Sequence, residues 1–213
     1  LIAAAFTLPL PGALLTVANH SFELPAIGTV GGGSGIITSW TASPGSSFLT
    51  LRPSAAQYSG TVPHGSQVLQ ANSGSRFQTL ADVLAANTIY TLTVAVARRN
   101  DSTMASYLFA LEAGATVLAT AQAPPNSIPA AGGFNDVSIS YTALAGDPLL
   151  GQALTIRLSH TSGTNDAHAL YDNVRLDASP FATGNVPEPA SFLIAAAGLA
   201  LLAARVTTRN AIK

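Results

Sequence analysis

The chain has no cysteine, a single lysine (Lys213), a single tryptophan (Trp40) and a single methionine in 213 residues. Without cysteine there is neither a disulfide framework nor thiolate metal chemistry. Charged residues make up only 9% of the chain, for a net charge of −1. The segment from Leu14 to Ala182 carries six arginines against nine carboxylates, and no basic patch. Nucleic acid is therefore excluded as a partner on charge grounds. Also missing is any long amphipathic Glu/Lys pattern of the kind that builds helices. Frequent Gly and Pro with abundant Ala, Ser and Thr suit short strands joined by tight turns.

Alternation with period two recurs through the middle. Tyr90, Leu92, Val94 and Val96 share one face of "TIYTLTVAVARR", opposite Thr91, Thr93, Ala95 and Ala97. Val137, Ile139 and Tyr141 alternate with Ser138, Ser140 and Thr142, and Leu154, Ile156 and Leu158 with Thr155, Arg157 and Ser159. Such patterns predict antiparallel strands with one buried and one wet face. Further strands are expected at 36–42, 48–53, 67–71, 77–80, 107–114, 116–121 and 170–177, with a hairpin turn in "EAGAT" and a helical turn within Thr79–Ala86. About nine or ten strands at this spacing predict an all-β antiparallel β-sandwich of jelly-roll type.

The two ends differ from the body. Residues 1–22 hold no formal charge, and "LIAAAFTLPLPGALL" reads as the apolar part of a secretory signal, with Ala13 and Ala18 as small residues for cleavage. Residues 1–13 are assigned to this remnant, although Leu14–Val17 also suits a first strand. Phe192–Ala204 runs without a charge and as a helix would reach roughly 20 Å, against about 30 Å of bilayer hydrocarbon. Arg205 beyond it can snorkel to headgroups and extend that reach.

Val186-Pro187-Glu188-Pro189-Ala190-Ser191, a short apolar helix and a basic tail (Arg205, Arg209, Lys213) together resemble the PEP-CTERM sorting signal of Gram-negative bacteria. The resemblance covers 185–209. It implies that an exosortase is a partner, that membrane anchoring through the helix is transient, and that the product reaches the cell surface or an exopolysaccharide matrix. The organisation expected is a sandwich domain over 14–178, a linker over 179–185 and a sorting tail over 186–213. "NHSFELP", Trp40, "TIYTLTVAVARR" and "ALYDNVRL", in that order, resemble galactose-binding-like jelly rolls of carbohydrate-binding modules.

Asp172 stands out among single residues. Strict alternation in "LYDNVRL" sets Leu170, Asp172, Val174 and Leu176 on one apolar face and Tyr171 outward. An inward carboxylate needs a cation or several donors. The resemblance to these modules implies a structural calcium held by Asp172 and Glu23; oxygen ligands without His or Cys suit that ion. Hydrogen bonds from backbone amides are the alternative for Asp172. Tyr171 is the candidate glycan contact, ahead of Tyr58 and Tyr107, while the resemblance to these modules implies that Trp40 fills the core.

No catalytic constellation is visible. "GGGSG" at Gly31–Gly35 lacks the Gly-Lys-Ser/Thr of a phosphate loop. His20, His64, His160 and His168 show no paired metal spacing. Asp166 lies near His160 and His168, but no Gly-x-Ser-x-Gly elbow accompanies them. Glu112 and Asp136 form no recognisable acid pair. The expectation is a non-enzymatic, exported, processed surface or matrix protein, with an exopolysaccharide-binding module as second reading and a glycan hydrolase as third.

Overall fold

A computed structural model describes residues 12–101, 106–123, 133–160 and 168–181. All of them fall in one compact unit, Leu1–Phe181. The expected C-terminal helix, the Pro-Glu-Pro segment, the basic tail and the start of the expected apolar leader lie outside the described residues. Among the described residues no helix is long and apolar enough to cross a membrane.

The described residues form eleven strands: β1 (Ala13–Leu15), β2 (Gly33–Ser34), β3 (Thr41–Ala42), β4 (Ser47–Leu51), β5 (Val68–Val83), β6 (Thr88–Arg98), β7 (Tyr107–Ala113), β8 (Thr116–Ala123), β9 (Asn135–Ala143), β10 (Ala153–His160) and β11 (Ala169–Pro180). Every pairing is antiparallel, in two layers. One sheet runs β9–β6–β11, and the far edge of β11 meets β1 at Leu176–Ala178 and the start of β5 at Ala169–Tyr171. Its other wing continues from β5 through β4 to β2. The second sheet runs β8–β7–β10–β5, with β3 on the far side of β5. The jelly-roll sandwich expected from alternation is what the chain forms.

β5 belongs to both sheets. Its first residues pair with β4 and β11, and residues from Gly74 onward pair with β10. Gly74 lies between these two stretches with φ +73, and a Cβ there would sit 2.6 Å from the Ser46 side chain. Only glycine meets both demands. The two strands expected at 67–71 and 77–80 are thus one long strand, and the helical turn expected within Thr79–Ala86 is its extended continuation to Val83. Thr79 is fixed there by its hydroxyl pairing with that of Thr155 across the ladder.

The core between the sheets contains Tyr90, Leu92, Val94 and Val96 of β6, Leu154, Ile156 and Leu158 of β10, and Phe22 packed on Trp40 at 5.4 Å. These are the inner faces that alternation predicts, and Trp40 fills the core as expected. A second, smaller cluster lies on the outside of the first sheet: Leu51, Val68, Ala97 and Leu170, covered by Tyr58 from the 52–66 segment.

Alternation fails in β11. Ala169, Tyr171, Val174 and Leu176 belong to the main core, whereas Leu170 belongs to the outer cluster. The register against β6 slips between Asp172 and Arg175, and Asn173 there has φ +47. A bulge adds a residue and reverses the side-chain parity. So Tyr171 points inward, fully buried, its hydroxyl donating to the Ser159 carbonyl at 2.7 Å. Burial raises its pKa above the usual tyrosine range. It cannot be a surface glycan contact.

Candidate functional site

The bulge places Asp172 on the outer side of the first sheet, in the gap along β11 between β5 and β1. Its Oδ2 accepts the His64 N–H at 2.9 Å and its Oδ1 the Asn173 N–H at 2.7 Å. Glu23 meets the same loop from the other side. Its Oε1 accepts the Ser66 and Gln67 N–H groups, both at 2.8 Å, and its Oε2 accepts the Ser66 hydroxyl at 3.3 Å. Gly65, at φ +70, leaves room for that carboxylate, which a Cβ would strike at 2.3 Å. Gln67 then donates to the carbonyls of Phe22 and Pro25 and accepts from Ile27. Three chain segments remote in sequence are tied at one point.

Two carboxylates therefore converge on a single loop. Burial pushes the Asp172 carboxyl up to about 7; the Glu23 charge adds to the rise, while the two backbone donors and Arg175 oppose it. Arg175 is already bonded to Asp136. The rings of His20 and His64 stand edge-on at 4.9 Å, and burial, then His64 and Arg175, hold His20 below its usual pKa. Among the described residues no group of three or more His, Cys, Asp or Glu could hold a metal. A soft tetrahedral ion is poorly served by this donor set. All four carboxylate oxygens accept hydrogen bonds, from the backbone of the 64–67 loop and Asn173 and from the Ser66 hydroxyl, which is the alternative to a cation expected for Asp172.

The other expected candidates separate. Glu112 pairs with Arg157 at 2.7 Å on the second sheet, and Asp136 with Arg175 on the first. They form no acid pair. His160 and His168 flank a segment outside the described residues, and Asp166 lies within it.

An arrangement invisible in the sequence lies further along the same outer face. A groove of about 290 Å3 is lined by the Gly31–Gly35 stretch, Leu49, Leu51, Gln57, Gln70 and Arg99. Its apolar side is continuous with the outer cluster, because Leu51 belongs to both and Leu49 packs against the cluster. Tyr58 and Phe134 meet edge-on at 5.1 Å within that cluster. Its polar side is a chain of hydrogen bonds. Arg99 grips Asp101 through Nε and Nη2 and donates from Nη1 to Gln70 Oε1 at 3.0 Å; Gln70 donates to Asn72 Oδ1 at 2.8 Å. Arg99 holds the Asp101 carboxyl below its ordinary range. A larger cavity of about 440 Å3 lies at the strand ends beside Ala13 and Pro180. Its lining includes Asp82, Thr88 and Tyr90, the last bonded to the backbone of Val83 and Ala85.

The fold defines a class: antiparallel β-sandwiches of jelly-roll type. Residues 13–177 match the family model described as HpiC1-like, HpiC1 cyclase, and the chain belongs to that family. No curated protein matches it. Among solved structures it is similar to the Stig cyclase Fisc from Fischerella sp. TAU in complex with (3Z)-3-(1-methyl-2-pyrrolidinylidene)-3H-indole. The identity is 27% over 81% of this chain and 100% of that one, with a TM-score of 0.73. It is likewise similar to a Fischerella sp. TAU cyclase in complex with 4-(1H-indol-3-yl)butan-2-one, 28% identical over 80% and 100% of the two chains, TM-score 0.70. The CBM22-1 xylan-binding domain of Paenibacillus barcinonensis Xyn10C, at 20% identity over 80% and 97% and a TM-score of 0.50, shares the fold alone.

These findings correct the expected function. A non-enzymatic surface or matrix protein is overturned by membership in a cyclase family and by cyclase neighbours holding small aromatic ligands. The resemblance to carbohydrate-binding modules reflected their common jelly roll, and fold does not fix function.

Proposed function

We propose that this chain is a cyclase-type enzyme that binds a small aromatic substrate in the outer-face groove and closes a ring on it. The observation that carries this reading is the continuity of the groove with the outer apolar cluster through Leu49 and Leu51, with a polar line of Arg99 and Gln70 opposite. A planar apolar body and one polar end would meet matching surfaces there. The indole ligands of the two cyclase neighbours have that shape. No carboxylate is among the described residues that line the groove, and Asp101 behind Arg99 is bonded to that guanidinium. Its residues would contribute by holding a flexible chain folded against a ring so that reacting atoms meet, and by steering charge with fixed donors.

The test is titration of the full chain with 4-(1H-indol-3-yl)butan-2-one by calorimetry. Saturable one-site binding that Leu49→Trp abolishes is expected, because a larger side chain fills the groove. Binding unaffected by Leu49→Trp, or no binding by the wild-type chain, overturns the reading.

Calcium at Glu23 and Asp172 is the cofactor we propose. Its role would be to tie the 19–25 segment and the 64–67 loop to β11, at a distance from the groove. The support is the convergence of two carboxylates on one loop and the rise of the Asp172 pKa.

For the tail, the order Val186, Pro187, Glu188, Pro189, apolar run, Arg205 supports export and exosortase processing in a Gram-negative cell. A mature product still carrying Lys213 in an exosortase-bearing host would refute that.

A further inference from the structure

β5 carries an acid that neither the outer-face groove nor the 64–67 loop uses. Leu80 and, just past the strand, Leu84 belong to the main core, while Ala81 and Val83 are exposed. Alternation therefore sets Asp82, between the two leucines, on the inner face of the sheet. Asp82 is half-buried and lines the cavity of about 440 Å3 at the strand ends. Its carboxylate has no hydrogen-bond or ion-pair partner among the described residues, whose ion pairs join Arg99 to Asp101, Arg157 to Glu112 and Arg175 to Asp136. No Arg, Lys or His is among the described residues that line the cavity. A carboxylate drawn toward an apolar interior without a partner is served by water or by a cation.

The hydroxyls of the wall do not answer that charge. Each carries a single hydrogen. Thr88 spends its own on the Ala86 carbonyl at 3.0 Å, and Tyr90, which receives the Ala85 N–H at 2.8 Å, donates to the Val83 carbonyl at 3.3 Å. Both oxygens can still accept, as the carboxylate can. The remaining described lining is apolar, with Leu15 and Ala178 packed against the main core. A ligand that suits these surfaces brings a positive donor to Asp82 and a hydrocarbon body to the wall. An ammonium supplies three N–H groups and the charge. A neutral hydroxyl makes a weaker bond to a carboxylate, and an anion is repelled by it.

We propose that this cavity is a second binding site, for a protonated primary amine on a short aliphatic body, with Asp82 as the anchor. The site is separate from the outer-face groove, since no described residue lines both, and it stands whether or not the groove closes rings. Its volume falls within the roughly 300–1,000 Å3 of small-molecule sites, where an apolar lining with a few placed polar groups sets orientation.

Calorimetric titration of the full chain at pH 7 compares n-hexylamine, n-hexanol and n-hexanoate, one hydrocarbon body with a cationic, a neutral and an anionic end. Hexylamine is expected to bind at one site, about tenfold more tightly than hexanol, the scale of one hydrogen bond to a charged group. Hexanoate should bind most weakly. Asp82→Asn should bring hexylamine to within about twofold of hexanol and, because the carboxylate has no partner to lose, should melt as the wild type does. Ala85→Leu, at an exposed position on the cavity wall, should weaken hexylamine and hexanol alike while leaving the carboxylate in place, and it serves if Asp82→Asn does not fold. Equal binding of hexylamine and hexanol by the wild-type chain, or hexylamine binding that Asp82→Asn leaves unchanged, overturns Asp82 as the anchor. Binding that Ala85→Leu does not weaken, or no binding of hexylamine, overturns the cavity as the site.

Discussion

Asp172→Asn separates a carboxylate that waits for a cation from one that merely caps a loop. The folded chain raises the Asp172 pKa from 3.8 to about 7, mainly through burial. A raised folded-state pKa means that the protonated form suits the fold. This contribution to stability is complete below about pH 4 and is lost as pH climbs through 7. At about 1.4 kcal/mol per unit, the loss between pH 5 and pH 8 in chelator is about 3 kcal/mol. For a domain of this size that is roughly 6–12 °C in Tm. Calcium at the site would reverse the trend, because it favours the carboxylate and binds only the folded state.

The substitution has two opposing effects. Asparagine keeps the shape but presents one oxygen where two backbone N–H groups, of His64 and Asn173, need acceptors. Leaving one unpaired costs about 1–3 kcal/mol at any pH. It also abolishes the buried charge. In EGTA the variant should therefore melt below wild type at pH 4 and at or above it at pH 8, and the two pH curves should cross. With calcium at pH 8 the wild type should gain stability and the variant should not. Melting by circular dichroism across pH 4–8, with EGTA or calcium, reads all of this. Parallel curves that never cross refute the buried-charge argument. Crossing curves with no effect of calcium on the wild type retain it and remove the metal.

What was legible in the sequence follows from local rules. β6, β9 and β10 alternate because each buries one face, and their inner residues are those in the core. The hairpin after β7 turns at Gly114, φ +58, where "EAGAT" places it. Asp172 stood out by its place in the strand, whereas Glu23 and the core placement of Trp40 came from the resemblance to carbohydrate-binding modules. Illegible features depend on partners distant in the chain. The bulge at Asn173 reverses the parity of β11 where the Val174 N–H meets the His20 carbonyl, a partner far away in the chain, so Tyr171 could not be placed by counting. β5 stays extended past Gly74 because β10 receives it. The groove draws on the 31–35 stretch, Leu49, Leu51, Gln57, Gln70 and Arg99, each unremarkable alone. Ring closure by positioning, as proposed, needs no nucleophile or triad and so leaves no motif to read.

The remaining predictions concern the elements that hold this face in place. Tyr171→Phe should lower stability by about 1 kcal/mol in urea unfolding, the worth of one buried hydrogen bond to Ser159, and leave ligand affinity unchanged. Asn173→Gly should be nearly neutral, whereas Asn173→Val should cost about 1–2 kcal/mol, since φ +47 excludes a β-branched residue. Equal costs would deny the bulge its part in setting parity. Arg157 lies over the Phe77 ring at 4.9 Å and meets Glu112 through Nε and Nη2 at 2.7 and 3.0 Å. The Glu112 side chain is only 8% exposed against 32% for Arg157, so the two deletions differ in kind. Arg157→Ala strands a nearly buried carboxylate and should cost about 2–4 kcal/mol. Glu112→Ala leaves a half-exposed guanidinium that water and the ring still serve, and should cost about 1 kcal/mol. If Glu112→Ala proves the more damaging, the pair is held by its cation, and burial of the acid is not what gives this surface its rigidity.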